Sequence, residues 1–127
     1  GNTYTPANIA SNTSVTIRYT IAAASGCNAS TANVTFTVTP CPVAVNTTST
    51  ASITENQTKT LVGSPSGGTW SVVSGGGTIS GNTYTPANIA SNTSVTIRYT
   101  IAAASGCNAS TANVTFTVTP CPVAVNT

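Results

Sequence analysis

The chain has 127 residues, 39 % of them apolar, and its only charged side chains are Arg18, Glu55, Lys59 and Arg98, for a net charge of +2. So sparse a charge forms no basic patch, which speaks against nucleic acid or an anionic membrane surface as a partner. There is no His and no Asp, so a base–orienter pair for a nucleophile and a pair of carboxylates are both missing, and enzymatic activity is not expected.

No apolar run approaches the roughly 18 residues that a membrane helix needs, so no membrane insertion is expected. The many Ser, Thr and Asn residues would suit a disordered chain, but the apolar residues between them alternate strictly, which argues for folded strands. Threonine serves this pattern well. Its hydroxyl solvates one face of a sheet without charge, and its branched Cβ favours extended backbone.

Residues 81–127 repeat residues 1–47 without one change, an offset of 80 positions. The chain is therefore expected to be a window onto a tandem array with an 80-residue period, opening in mid-repeat. Pro40 and Pro42 flank Cys41; two prolines stiffen the backbone and remove ladder donors, so a domain boundary is expected there. On this reading residues 1–40 are the C-terminal part of one repeat, 41–120 are a complete repeat, and 121–127 begin the next.

Within the complete repeat, residues 43–45 and 51–54 are predicted to form a first strand interrupted by polar residues 46–50. Residues 55–57 make a turn, and 58–62 a short strand with Leu61 inward. Residues 63–68, with Pro65, form a loop. A strand over 69–74 carries Trp70 and Val72 on one face. Gly75-Gly76-Gly77 is a tight turn or bulge where positive φ is cheap only for glycine. Residues 78–85 form two short strands about a Gly81-Asn82 turn, and 86–92 a loop plugged by Ile89. Val95, Ile97, Tyr99 and Ile101 then alternate with Thr96, Arg98 and Thr100. After a turn at Gly106, Ala112, Val114, Phe116 and Val118 alternate with Asn113, Thr115, Thr117 and Thr119. These two strands are expected to pair as a hairpin.

No segment has helical spacing. Short strands with frequent turns predict an all-β protein, specifically immunoglobulin-like β-sandwich tandem repeats with an 80-residue period. The expected core is Leu61, Trp70, Val72, Ile79, Tyr84, Val95, Ile97, Tyr99, Ile101, Val114, Phe116 and Val118. Four cysteines, two per period at the same positions, with no His in the chain, read as disulfides and an oxidising, extracellular or cell-surface setting. Reduced buried thiols are the bland alternative, and a thiolate metal site lacks the four-ligand spacing.

The succession Gly67-Gly68-Thr69-Trp70, Tyr84-Thr85-Pro86, Val95-Thr96-Ile97-Arg98-Tyr99-Thr100, Gly106-Cys107 and Val114-Thr115-Phe116-Thr117-Val118 resembles the bacterial immunoglobulin-like repeats of very large secreted or cell-surface proteins, especially those of Bacteroidota. The resemblance spans the whole period and implies an extracellular stalk, filament or adhesin. Many surface repeats carry acidic calcium ligands at their junctions, a feature that a chain without Asp does not share.

In a sandwich of that type the turn at Cys107 lies at the pole where the chain enters, and Cys121 lies at the pole where it leaves. The intervening strand should span about 30 Å at roughly 3.3 Å per residue, far beyond the ~7 Å that a disulfide tolerates between Cα atoms. The expected pair is therefore Cys41 with Cys107, leaving Cys27 and Cys121 for neighbouring repeats or other chains.

The functional expectation is a structural segment of an extracellular stalk, fibre or filament, stiffened by disulfides at repeat junctions. Its partners would be neighbouring repeats in a homo-oligomer or filament, joined by strand or end-to-end contacts. The alternative is an adhesin module for carbohydrate or another surface, for which Trp70 and the tyrosines would have to be exposed. Ice binding through threonine ladders is a weaker idea. Asn-x-Ser/Thr triplets begin at Asn12, Asn28, Asn33, Asn46, Asn56, Asn92, Asn108 and Asn113; most such matches in a chain this rich in Thr and Asn are chance, and glycans are a candidate partner only where the source organism glycosylates extracellular Ser, Thr or Asn. Glu55 and Lys59 are expected to form at most a weak surface pair, and Arg18 and Arg98 to be solvated or to touch a neighbouring repeat. No cofactor or metal is expected.

Overall fold

The computed structural model describes residues 1–126. Among the described residues there is no helix: the chain is all-β, with several small sheets of the kind a β-sandwich contains. It divides into two compact units, Gly1–Cys41 and a second beginning at Pro42.

The first unit is a hairpin of β1 (Thr13–Ile21) and β2 (Ser30–Val38), paired antiparallel. Its connection narrows to a two-residue turn, with Ala24 and Cys27 exchanging both backbone hydrogen bonds around Ser25 and Gly26. Both central residues have positive φ, 44° and 81°, the type I′ geometry whose twist matches that of the strands. The turn fixes the register, which sets Val15 opposite Phe36 and Ile17 opposite Val34.

The same hairpin recurs in the second unit as β10 (Thr93–Ile101) and β11 (Ser110–Thr119), with Val95 opposite Phe116 and Ile97 opposite Val114. Local detail is shared as well. Thr96 and Thr115 share a hydroxyl bond of 2.9 Å and Thr16 and Thr35 one of 2.8 Å. The Tyr84–Phe116 and Tyr4–Phe36 rings both meet edge-on at 5.6 Å. Identical sequence builds an identical hairpin, with or without a core to bury it.

Around β10 and β11 the second unit adds β3 (Val45–Asn46), β4 (Ile53–Thr54), β5 (Lys59–Thr60), β6 (Gly63–Ser64), β7 (Thr69–Ser74), β8 (Thr78–Ser80) and β9 (Thr83–Thr85). The main sheet has the order β4-β11-β10-β7, with a register shift against β7 between Thr96 and Ile97. The β4–β11 pair is parallel. The other sheets are β3-β6 and β5-β9-β8. Leu61, Tyr84, Val95, Ile97, Phe116 and Val118 form the buried cluster, and Ile53, Trp70, Val72, Ile79, Ile89 and Val114 pack against it.

Three expectations change. Residues 43–54 are not one interrupted strand: β3 joins β6, and β4 joins β11. The segment 63–68 is not wholly loop, since Gly63 and Ser64 supply that β6 partner. Ile101 stays only half-buried at the end of β10. Gly75 does need its glycine: its φ is +95°, and a Cβ there would sit 2.6 Å from the Ser94 carbonyl oxygen.

Candidate functional site

Cys27 and Cys107 lie where the two hairpins make their turns, Cys41 follows β2 and Cys121 follows β11. Ser105 and Gly106 repeat the type I′ turn, with φ of 49° and 81°. Ala104 and Cys107 close it with hydrogen bonds of 3.1 and 2.9 Å. Cys107 thus projects from a rigid turn, and it is disulfide-bonded to Cys41. Cys27 is exposed and Cys121 half-buried, and both are free thiols.

The segment after Cys41 is seated on the hairpin by polar bonds as well as by burial. The Ala44 amide donates to Ser110 Oγ at 2.9 Å, and Ala44 itself is buried. Asn46 Nδ2 donates to the Ile97 carbonyl at 3.2 Å and the Ala112 carbonyl at 3.3 Å. Its Oδ1 accepts from Thr48 N, and Thr48 Oγ1 in turn accepts from Val62 N at 2.9 Å. Asn46 was one of the candidate glycan acceptors, and its amide is committed to the fold instead. Asn12, Asn28, Asn33, Asn56, Asn92, Asn108 and Asn113 are exposed.

At the far end of β11, Glu55 acts as a clamp. Its Oε2 accepts from Ile89 N and its Oε1 from Cys121 N, both at 3.0 Å, while its own amide donates to the Thr119 carbonyl. The Ile89 bond first, and then the Cys121 bond, hold the Glu55 carboxyl below its ordinary pKa, because both stabilise the ionised form. Lys59 is buried. Its Nζ donates to the Ser49 carbonyl at 2.7 Å and to the Ala51 carbonyl, and it lies 4.2 Å from the Phe116 ring centre. Burial pushes its ammonium pKa down. The expected weak surface pair of Glu55 and Lys59 is thus replaced by two separate structural roles. The signal was present in the sequence: Lys59 stands two residues before inward-facing Leu61, and in a strand that is the same face.

Trp70 is half-buried. It stacks tilted on Tyr99 at 4.5 Å and donates from Nε1 to Asn82 Oδ1 at 3.1 Å. The two rings help line a groove of about 260 Å³, with Asn82, Ser66 and Gly67 on its rim. Arg98 Nε donates to Asn113 Oδ1, and Arg18 Nε to Asn33 Oδ1, so each arginine is held across its own hairpin. No cluster of metal-ligating side chains occurs among the described residues, and no described helix is long and apolar enough to cross a membrane.

Comparison with known proteins finds no matching family model, and no curated protein or solved structure that matches significantly. The chain's own repetition is therefore the comparison that informs. Ile97, Tyr99 and Phe116 are 0 %, 3 % and 3 % exposed, whereas Ile17, Tyr19 and Phe36, the same residues of the same sequence, are 36 %, 69 % and 38 % exposed. The first hairpin carries a core face that the second hairpin buries.

Proposed function

We propose that this chain is a structural segment of an extracellular stalk, fibre or filament, built from immunoglobulin-like sandwich repeats of 80 residues. The observation that carries the reading is one sequence folded twice into the same hairpin, with a disulfide from Cys41, which follows the first copy, to Cys107 in the second. Bridges at such positions restrain each repeat junction and fit an oxidising compartment. Repeats joined head to tail bury continuous apolar surface, and the length of the rod is then the function. The scarcity of titratable side chains favours a non-enzymatic role, and the resemblance to bacterial surface repeats points the same way.

The test is small-angle scattering on chains of two, three and four complete repeats. A rod gives a maximum dimension that grows by an equal increment per repeat. Growth with the square root of repeat number would describe beads on a flexible string and overturn the reading.

A second reading, a carbohydrate-binding adhesin, draws support from the Trp70–Tyr99 groove, where half-buried aromatic faces stand beside the Asn82 side chain. Glycan-array binding that is abolished by Trp70→Ala would favour it.

A further inference from the structure

Two grooves of the second unit adjoin at Trp70. The first, of about 260 Å³, runs past Ser66 and Gly67. The second, of about 390 Å³, runs past Thr69, Ile79 and Gly81. Gly68, Trp70 and Asn82 line both. Every lining residue falls within 61–99, inside the complete repeat, so neither groove waits on another repeat to finish it.

The junction between them is preformed. Tyr99 is buried against Trp70, with ring centres 4.5 Å apart. Its hydroxyl accepts from Gly68 N at 3.0 Å and donates to the Pro65 carbonyl, which pins the loop wall. A Cβ on Gly68 would stand 2.4 Å from the Tyr99 ring, so only glycine lets that wall come so close. On the other side the Asn82 carbonyl accepts from Leu61 N at 2.7 Å. The indole Nε1 is a donor only, so its 3.1 Å bond assigns Asn82 Oδ1 as the acceptor and fixes the amide plane. Asn82 is exposed, and its Nδ2 is left as an oriented donor with no partner among the described residues. The exposed Ser66 hydroxyl is likewise uncommitted.

We propose that the two grooves are adjacent subsites for a neutral, linear oligosaccharide of at least two hexose units, crossing at Trp70 and donated to by Asn82 Nδ2. None of the chain's four charged side chains lines either groove, so an ionic ligand would lose its hydration without gaining a countercharge. A pyranose ring has a face of polarised C–H bonds and a rim of hydroxyls. The half-buried indole offers its negative π-face to the former, and the Asn82 amide and Ser66 hydroxyl meet the latter. Because the aromatic, the amide and the loop wall are already held in place, little ordering is required on binding. If the unit recurs every 80 residues, each repeat carries one such site, and weak single-site binding becomes tight along a polymer that spans several repeats. The proposal rests on the carbohydrate-binding reading above and deepens it by naming the ligand class, the two subsites and the donor.

The test uses the full chain, whose sole tryptophan is Trp70, so indole fluorescence reads the site itself. The probes are maltohexaose, cellohexaose, chitohexaose and mannohexaose, each with its own monosaccharide, and hexagalacturonate as the anionic control. At least one neutral hexasaccharide should give a saturable change, with a Kd at least tenfold below those of its monosaccharide and of hexagalacturonate. Asn82→Asp keeps an acceptor for Trp70 Nε1 but puts an oxygen in place of the Nδ2 donor. It should retain the parent near-ultraviolet circular dichroism and bind about tenfold more weakly. No saturable response to any of the four would overturn the proposal. So would a monosaccharide or hexagalacturonate that binds as tightly, a proline-rich peptide that binds more tightly, or an affinity indifferent to Asn82→Asp. Glycan-array binding that is lost in Trp70→Ala but intact in Asn82→Asp removes this inference and leaves the carbohydrate-binding reading standing, whereas an array with no binding at all removes both.

Discussion

Removing the Cys41–Cys107 bridge is the perturbation whose size follows most directly from the structure. The two cysteines stand 66 positions apart, from 41 to 107, so the bond closes a loop comprising most of the second unit. Chain-entropy reasoning gives a loop of that length about 4 kcal/mol of stabilisation, through the conformations denied to the unfolded chain. For a unit of this size each kcal/mol moves the thermal midpoint by roughly 4–8 °C, so the midpoint should fall by about 16–32 °C. The clean comparison is Cys41→Ser/Cys107→Ser against the parent chain, both in a Cys27→Ser/Cys121→Ser background so that no thiol remains to shuffle. Trp70, the sole tryptophan, reports through its contact with Tyr99. The Ala44 and Asn46 hydrogen bonds remain in the variant, so the native hairpin should persist at low temperature. A midpoint shift below about 3 °C would refute the reasoning, since the bond would then restrain neither the unfolded chain nor the seat of residues 42–46.

Further outcomes follow from individual contacts. Phe116→Ala should destabilise by about 3–5 kcal/mol, whereas Phe36→Ala, the same change in the same local sequence, should move the midpoint little, because only Phe116 sits in a filled core. Glu55→Gln should weaken the clamp at neutral pH. Because the folded-state pKa of Glu55 is lowered, the stability it contributes is present above its unfolded value of 4.5 and is lost as pH falls through the folded value. Acid titration monitored by circular dichroism should therefore show a loss below about pH 4.5 in the parent chain that is much reduced in the variant. Ser105→Asn, at a turn position with positive φ, should raise stability by about 0.5–1 kcal/mol in chemical denaturation, since Asn enters that backbone region more readily than Ser.

How far the sequence could be read depended on what specified each element. The pairing of β10 with β11 was legible because nine-residue stretches alternate strictly and a Ser-Gly turn sets their register. Trp70 and Val72 on β7, and the hairpin of β8 and β9, followed from the same period-two logic. Legibility failed between Val45 and Ser64, where the strands are two residues long. No periodicity exists over two residues. Those strands are placed by side chains bonding backbone: Asn46 to Ile97 and Ala112, and Thr48 to Val62. Such bonds join partners distant in sequence and leave no local signature. Lys59 and Glu55 were misjudged because charge usually signals surface. In a chain with so few charges, the two in this segment were the ones worth asking about.

The bridge from Cys41 to Cys107 also decides how the second unit carries force. A pull applied through Pro40 and Pro122 enters at Cys41, crosses the sulfur–sulfur bond, runs along β11 and leaves at Cys121. The roughly 65 residues between the bridged cysteines, about 220 Å of chain at full extension, lie outside that path and cannot be drawn out while the bond holds. The strand under tension is already extended, and it is flanked by β4 on one side and β10 on the other. Stretching such a unit means straining a single buttressed strand, so the unit is nearly inextensible when oxidised, and reduction of one bond turns it into a long, yielding tether.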